Sequence, residues 1–208
     1  MSEPSGTHEG ALPPRGSSGI LGIFVGGGSR RMGGKPKGLL TAPCSTETLV
    51  ERLIRIGHEA GLEVVLVGAA APYAEIAPEL PRLRDDPTGI GPLGGLRAFL
   101  AHAGAQTAIA VACDMPFVDV RFLHALLAEP AGPAVIAPRH GEDGRWEPLC
   151  ARYDPPRVLT ALDLALERDV RSFQWLFREL DVGRLSASDR FARELTDWDT
   201  PDDVESSR

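Results

Sequence analysis

The chain has 208 residues, of which 43% are hydrophobic, and a formal net charge of -7. That is enough apolar sequence for one compact core, whereas the acidity excludes broad binding to nucleic acid or to an anionic membrane. The three cysteines (Cys44, Cys113 and Cys150) form no C-x-x-C pair. No apolar run approaches the roughly 18 residues of a membrane span, so we expect a cytoplasmic protein without disulfides.

The first half of the chain begins with a tail and then alternates strand and helix patterns. Residues 1–18 lack the apolar centre of a signal peptide and are predicted to be a disordered tail, which leaves residues 19–208 as a single domain. The apolar run "GILGIFV" at 19–25 predicts a strand buried in a parallel sheet. "TLVERLIRIGHEAG" predicts a helix that opens with a capping box between Thr48 and Glu51 and stops at its last glycine. "EVVLVG" predicts the next strand.

The second half continues this alternation. Helical turns are predicted around 73–80, followed by a short edge strand "RLRDD", a helix that opens with Pro92, and the strand "TAIAVACD". A helix at 119–128, strands "AVIAP" and "EPLCARY", and helices at 155–167 and 172–180 complete the pattern. The order predicts a three-layer α/β/α fold with a mostly parallel sheet, in which ligands bind beyond the carboxyl ends of the strands.

The stretch "GGGSRRMGGKPK" at 26–37 follows the first predicted strand and is rich both in glycine and in positively charged side chains. Glycines allow backbone N–H groups to approach an anion, and Arg30, Arg31, Lys35 and Lys37 can donate charge-assisted hydrogen bonds to phosphate oxygens. The spacing is not that of a P-loop or of a dinucleotide-binding G-x-G-x-x-G motif. The stretch therefore predicts an anion-binding loop, with a flexible solvated turn as the alternative.

Two further features lie at the predicted carboxyl edge of the sheet, namely a carboxylate and the glycine-rich start of a helix. Asp114 ends the strand "TAIAVAC", where it suits Mg²⁺, which takes one or two carboxylates and substrate oxygens. The alternative role for Asp114 is to cap the next helix, but Asp119 is better placed for that. "GPLGG" at 91–95 starts a helix whose N–H groups could hold a polar substrate, unless it is only a turn.

Four segments together carry a family resemblance. In chain order they are "GGGSRRMGGKPKGLL", "DDPTGIGPLGGL", "CDMPF" and "DWDTPDD". They resemble the G-G-x-S-x-R-M-G-x-x-K-x-L-L, D-x5-G-P-L-A-G, C-D-x-P and N-x-N-T-P-E-E segments of the molybdenum cofactor nucleotidyltransferases. The resemblance extends over residues 19–203 and implies a Rossmann-like nucleotidyltransferase fold.

The same resemblance implies an activity and a set of site residues. Gly27 and Gly28 resemble the guanylyltransferase form of the loop, which implies Mg²⁺-dependent transfer of GMP from GTP to molybdopterin, with release of pyrophosphate. The implied roles are backbone contacts to the nucleotide for Val25, Gly26 and Gly27, phosphate binding for Lys37 and Arg31, nucleoside contact for Asp85 or its neighbour Asp86, and metal binding for Asp114.

The sequence departs from the family pattern in three places and leaves alternatives open. Gly26 stands where the family usually has Ala, residues 67–69 offer no Asn, and Asp197 and Asp199 replace Asn. The alternatives are a cytidylyltransferase, another nucleotidyltransferase with a phosphorylated acceptor such as a cobinamide, or a non-catalytic nucleotide-binding chaperone of molybdoenzymes. The partners expected are GTP and molybdopterin, with transient contacts to molybdoenzymes or their chaperones, and neither nucleic acid nor a membrane.

Overall fold

A computed structural model describes residues 19–26, 36–139, 144–186, 188–198 and 200–206. The strands of the described residues are β1 (Gly19–Phe24), β2 (Glu63–Val67), β3 (Arg82–Leu83), β4 (Thr107–Ala112), β5 (Val135–Ala137), β6 (Cys150–Tyr153) and β7 (Val182–Arg184). They form one seven-stranded sheet in the order β3-β2-β1-β4-β6-β5-β7.

The strand directions place several loops at one edge of the sheet. β1 lies parallel between β2 and β4, β3 continues this parallel set beside β2, and β5 pairs in parallel with β7. β6 runs antiparallel to both of its neighbours, β4 and β5. The predicted mostly parallel sheet is therefore confirmed. Because β6 is reversed, the residues that precede it reach the edge at which β1 to β4 end.

The sheet is buried on both faces. Along β1, Leu21 and Ile23 point into one core, whereas Ile20 and Phe24 point into the other, as the two-residue period of a strand requires. Helices α1 (Leu49–Glu59) and α3 (Val120–Ala128) pack on the first face; α2 (Pro92–Ala103), α4 (Pro155–Glu167) and α5 (Phe173–Arg178) pack on the second. The three-layer arrangement predicted from the order of elements is thus confirmed.

Local sequence signals set most helix boundaries. The predicted capping box at the start of α1 is present, since the side chain of Thr48 accepts from the Glu51 N–H and Glu51 accepts from the Thr48 N–H. The Asp119 side chain accepts from the Phe122 N–H and so caps α3, as expected. Gly61, just past α1, has a φ of +74°, the left-handed conformation that glycine adopts without strain.

The structure corrects the sequence predictions in a few places. Helical turns were expected at 73–80, whereas the structure has a short 3₁₀ helix at Ala71–Tyr73 that is followed by turns. The helix expected at 172–180 spans only α5, with Ser172 as its N-cap. β7 and a last helix, α6 (Pro201–Ser206), were not predicted. The predicted tail at 1–18 lies outside the described residues. None of the described helices is both long and apolar enough to cross a lipid bilayer.

Candidate active site

The carboxyl ends of β1 and β2 remain paired one residue beyond the strands. The Val25 N–H donates to the Val67 carbonyl oxygen at 2.9 Å. The backbones then come so close that a Cβ added at Gly68 would lie 3.1 Å from the Gly26 nitrogen, and Gly68 itself has a φ of +101°. Neither glycine has a side chain of its own that would cover the backbone at this edge, so their backbone groups can face a ligand.

A cavity of about 360 Å³ opens at this edge, over the ends of β1 and β4 and the start of β6. Its lining residues are Phe24, Val25, Gly26, Lys37, Pro92, Ala112, Cys113, Asp114, Met115, Glu147, Pro148, Leu149, Phe173 and Asp197. The cavity brings together four residues that the sequence predicted for the site: Val25, Gly26, Lys37 and Asp114. It lies where ligands bind in open α/β sheets.

Lys37 and Asp114, which both line this cavity, are paired with each other. The Lys37 Nζ donates to the Asp114 Oδ2 at 2.8 Å, and their side chains are 18% and 20% exposed. The sequence analysis assigned Asp114 to Mg²⁺ binding and Lys37 to phosphate binding, and did not anticipate their pairing. The pair joins a loop residue to a residue 77 positions later, so no local pattern could reveal it.

The backbone next to Lys37 is tightly held. Lys37 begins a 3₁₀ helix at Lys37–Leu39, and a Cβ added at Gly38 would lie 2.5 Å from the Val50 Cγ2 and 2.8 Å from the Tyr73 ring. Tyr73 is 1% exposed, and its hydroxyl oxygen would lie 2.9 Å from a Cβ added at Gly38. Burial raises the pKa of this hydroxyl, with a smaller effect of Cys113. Tyr73 therefore stays uncharged, and its ring packs against the backbone of Gly38, the residue next to Lys37.

Asp85 and Asp86, the two alternatives for nucleoside contact, occupy different surroundings. The Asp85 Oδ1 would lie 3.1 Å from a Cβ at Gly95 and 3.7 Å from one at Gly68, so this carboxylate borders the glycine-lined edge. Burial raises the pKa of Asp85 above its usual value. Asp86 instead accepts from Arg97 Nη1 at 2.7 Å on the surface. Asp85 is the one of the two whose carboxylate faces the open backbone.

Two further carboxylates on the cavity were missed as site residues by the sequence analysis. Glu147 precedes β6, and its position at this edge follows only once that strand is known to be antiparallel. Asp197 had been noted only as a departure from the family pattern. Both carboxylates lie near the buried Cys150, whose pKa is raised by burial first and then by Glu147, Asp114 and Asp197.

The C-terminal segment is fixed beside Asp114. The Trp198 N–H donates to the Asp114 carbonyl oxygen at 3.0 Å, and the indole, 1% exposed, packs with Ala42, Leu49 and Val204. Thr200 directly precedes α6, and its N–H and hydroxyl both donate to Asp203 Oδ2 at 2.7 and 2.8 Å. This cap and the buried indole explain how the "DWDTPDD" segment delivers Asp197 to the cavity.

Part of the predicted site lies outside the described residues, namely Gly27, Gly28, Arg30, Arg31, Lys35 and Asp199. Within the described part of the chain, no group of three or more His, Cys, Asp or Glu side chains is arranged to hold a metal ion. Mg²⁺ requires less, because it takes one or two carboxylates and completes its shell with water and substrate oxygens. Asp114 and Asp197 offer hard oxygen donors of this kind on one cavity.

A parallel β3-β2-β1-β4 set with a glycine-lined edge, a lysine–aspartate pair and a cavity at the carboxyl ends defines an α/β protein with a ligand site at the edge of its sheet. Residues 22–181 match the family described as "MobA-like NTP transferase domain". The chain belongs to this family, since the match covers most of its length.

The names of curated relatives agree with this family assignment. The chain is 31% identical over 195 residues to a probable molybdenum cofactor guanylyltransferase from Opitutus terrae, which covers 89% of this chain and 93% of that protein. It is 34% identical over 163 residues to a molybdenum cofactor guanylyltransferase from Pseudomonas fluorescens, covering 76% and 78% of the two chains.

Solved structures share the fold. The molybdopterin-guanine dinucleotide biosynthesis protein A from Archaeoglobus fulgidus aligns with a TM-score of 0.72 and 26% identity over 90% of this chain and 96% of that one. The 2-C-methyl-D-erythritol 4-phosphate cytidylyltransferase from Thermus thermophilus aligns with a TM-score of 0.64 over 91% and 96%. At 15% identity, the latter similarity concerns the fold alone.

Proposed function

We propose that the protein transfers GMP from GTP to molybdopterin, forming the molybdopterin guanine dinucleotide and releasing pyrophosphate. The observation that carries this proposal is the Lys37–Asp114 pair on a cavity at the carboxyl ends of β1 and β4. The proposal is supported by the names of the relatives, which are molybdenum cofactor guanylyltransferases. A cytoplasmic location fits a reaction that consumes GTP.

The nucleoside is assigned to the β1–β2–β3 side of the edge. There the backbone of Val25 and Gly26 lies beside Gly68, and the Asp85 carboxylate borders the same opening. Guanine presents N1–H and N2–H₂ donors and an O6 acceptor, all of which the backbone at residues 25–27 and 67–69 could match. A site that pairs such groups rejects a base that leaves them unpaired.

The chemistry requires positioning and charge compensation more than covalent help. A phosphate oxygen of molybdopterin attacks the α-phosphorus of GTP, a new P–O bond forms, and the bond to the leaving pyrophosphate breaks. The nucleophile is already an anion, so no general base is needed. Lys37, with Arg31, compensates the negative charge that builds on the leaving pyrophosphate.

Asp114 is the residue proposed to hold Mg²⁺, with Asp197 beside it on the cavity. Bound Mg²⁺ would supply charge neutralisation at the nucleotide phosphates. Without substrate, each member of the Lys37–Asp114 pair compensates the charge of the other, so neither is a lone buried charge before GTP arrives. The pair thus keeps a phosphate-binding ammonium and a metal-binding carboxylate at one place in the cavity.

The decisive experiment measures pyrophosphate release with GTP, CTP or ATP, each with and without molybdopterin and with Mg²⁺ or EDTA. We expect release only when GTP, molybdopterin and Mg²⁺ are all present. A kcat/KM for CTP equal to or above that for GTP would make the protein a cytidylyltransferase. Nucleotide binding without any pyrophosphate release would instead favour the non-catalytic chaperone, which would act by contact with molybdoenzymes.

A further inference from the structure

The first turn of α1 is fixed to the segment that carries Lys37. The Leu49 N–H donates to the Leu40 carbonyl oxygen at 2.9 Å, and the Leu40 N–H donates to the Lys37 carbonyl oxygen at 2.9 Å. The capping box of Thr48 and Glu51 sets the start of this helix. The backbone of Lys37 therefore has a defined position relative to α1.

The same turn of α1 also reaches the loop that carries Asp114. We call residues 113–119, which connect β4 to α3, the β4–α3 loop. Arg52 belongs to α1, and its Nη1 donates to the carbonyl oxygen of Val118 in this loop. Asp114 lies near the start of the loop and lines the cavity. Arg52 thus links α1 to the segment that holds the carboxylate of the Lys37–Asp114 pair.

The β4–α3 loop is largely buried, so its backbone groups need partners within the protein. Cys113 is 6% exposed and Val118 is 0% exposed. A buried carbonyl oxygen without access to water is costly unless it accepts a hydrogen bond. The Asp114 carbonyl oxygen accepts from the Trp198 N–H at 3.0 Å. Arg52 supplies the corresponding donor for Val118.

The electrostatic surroundings of Arg52 are consistent with a role in holding backbone. Its side chain is half-buried, and burial lowers its pKa, with a further lowering by Arg55. The carboxylates of Asp119, Glu47 and Glu59 have smaller effects of the opposite sign. The guanidinium stays charged at neutral pH, because its ordinary pKa is far higher. Its charge-assisted hydrogen bond is stronger than a neutral one and can hold the loop at a set distance from the helix.

We propose that Arg52 is a positioning residue, which keeps the Asp114 carboxylate where guanylyl transfer requires it relative to Lys37. The inference rests on the proposed function and adds to it a residue outside the lining of the cavity. Because α1 is bonded to the Lys37 segment at Leu49 and to the β4–α3 loop at Arg52, the helix sets the separation of the two. Without the Arg52 link, the loop can shift while Lys37 stays in place, and a shift of about one ångström impairs the reaction geometry.

Two variants of Arg52 separate its hydrogen bond from the bulk of its side chain. Arg52→Met keeps an unbranched stem without a donor, whereas Arg52→Lys keeps a charged donor. We expect the kcat of pyrophosphate release to fall about 10-fold or more in Arg52→Met, and Arg52→Lys to retain at least about a third of the wild-type kcat. The KM for GTP should change by no more than about threefold, because the nucleoside contacts proposed at Val25 and Gly68 are unaffected.

Arg55 provides the matched control on the same helix. It is 46% exposed and forms ion pairs with Glu47 and Glu59 on the surface. Arg55→Met should leave kcat within about twofold of the wild-type value, because surface ion pairs contribute little. A comparable loss of kcat in Arg55→Met would overturn the proposal. An equal loss in Arg52→Met and Arg52→Lys would also overturn it, since the donor to Val118 would then have no effect.

Hydrogen exchange tests the link without the reaction. The amide hydrogens of Trp198 and Met115 report on the β4–α3 loop, because they donate to the carbonyl oxygens of Asp114 and Ala112. The amide hydrogens within β4 report on the sheet. In Arg52→Met we expect exchange at the two loop reporters to accelerate about 10-fold or more, and exchange within β4 to accelerate much less.

Each outcome of the exchange measurement decides the proposal. Unchanged exchange at the loop, or equal acceleration at the loop and in β4, would overturn it, since Arg52 would then hold no particular part of the fold. Faster exchange at the loop with an unchanged kcat would show that turnover does not depend on the link. Faster exchange at the loop in a protein that transfers no guanylyl group would refute the proposed function and leave the positioning of the loop by Arg52 standing.

Discussion

Lys37 and Asp114, half-buried on the lining of the cavity, compensate each other's charge. Asp114→Asn keeps the shape of the side chain but removes the charge that would hold Mg²⁺. We expect a loss of at least about 100-fold in Mg²⁺-dependent pyrophosphate release, as for removal of a metal ligand, together with a lower thermal midpoint, because Lys37 loses the carboxylate of Asp114 that compensates its charge. Asp163→Asn, which removes an exposed carboxylate bound to Arg97 on the surface, is the control. Near-normal turnover in Asp114→Asn would make Asp114 a purely structural residue.

Asp85 predicts a dependence of stability on pH. Because burial raises its pKa in the folded protein, the native state holds the proton more tightly than the unfolded chain does. Its protonated form is therefore favoured on folding, and the free energy of unfolding falls as the pH rises from the unfolded to the folded pKa. Above the folded pKa, the cost in free energy of ionising the partly buried Asp85 carboxylate is fully present.

We therefore expect Asp85→Asn to melt at a higher temperature than the wild type at pH 7. At about pH 3, which is below the ordinary pKa of aspartate, the two proteins should melt at nearly the same temperature. The same variant should bind GTP more weakly, since Asp85 borders the proposed nucleoside site. Asp86→Asn is the matched control, because Asp86 is exposed and paired with Arg97. An equal gain at both pH values would contradict the assigned role of burial.

Among the elements, the 3₁₀ helix that begins at Lys37 predicts a separation of activity from stability. Gly38→Ala would push a methyl group to within 2.5 Å of Val50 Cγ2 and 2.8 Å of the Tyr73 ring, and so displace the backbone of Lys37. Gly183→Ala, in β7 and far from the cavity, is similarly crowded, with 2.7 Å to Ile136 Cδ1. Overpacking of this kind costs about 1–3 kcal/mol of unfolding free energy.

We expect both variants to lose stability in urea titrations, but only Gly38→Ala to lose activity. A displacement of the lysine by a fraction of an ångström to one ångström should reduce kcat/KM about 10- to 100-fold in the folded fraction. Equal loss of activity per folded molecule in both glycine variants would show that the Gly38–Tyr73 contact does not position Lys37.

The elements that sequence predicts best are those with strong local signals. α4 has the predicted bounds because Pro155 can begin a helix and its apolar positions repeat with the helical period. β7 was missed because "VGR" is three residues long, contains a glycine and is only half-buried. The reversal of β6 was not predicted, since hydrophobicity does not encode strand direction, and with it the position of Glu147 was lost.

At the scale of the whole molecule, residues far apart in sequence are brought to one cavity by the parallel strands. Sequence could place Gly26, Asp85 and Asp114 at the same edge, because each follows a predicted strand of one sheet. It could not show that Lys37 pairs with Asp114 or that Asp197 joins them, since those contacts depend on loops that cross the sheet edge. The C-terminal segment around Trp198 makes one of these contacts.

That segment yields the last prediction. Trp198 is 1% exposed among Ala42, Leu49 and Val204, and its backbone is bound to Asp114. Trp198→Ala leaves a large void, which should lower the free energy of unfolding by about 3–5 kcal/mol and loosen the residues that hold Asp197 at the cavity. We therefore expect turnover to fall even at low temperature, where the protein remains folded.

Two variants separate this effect from a general loss of stability. Phe191→Ala removes a ring of the same segment that packs edge to face on Phe122 at 5.2 Å, so it should lower stability while sparing turnover. Trp198→Phe should restore most of the activity that Trp198→Ala loses, because an aromatic side chain still fills the cluster. Urea titration and kcat are measured on the same preparations. If Phe191→Ala and Trp198→Ala reduced kcat equally, activity would depend on the stability of the segment as a whole, and the contact between Trp198 and Asp114 would have no separate part in placing the catalytic carboxylates.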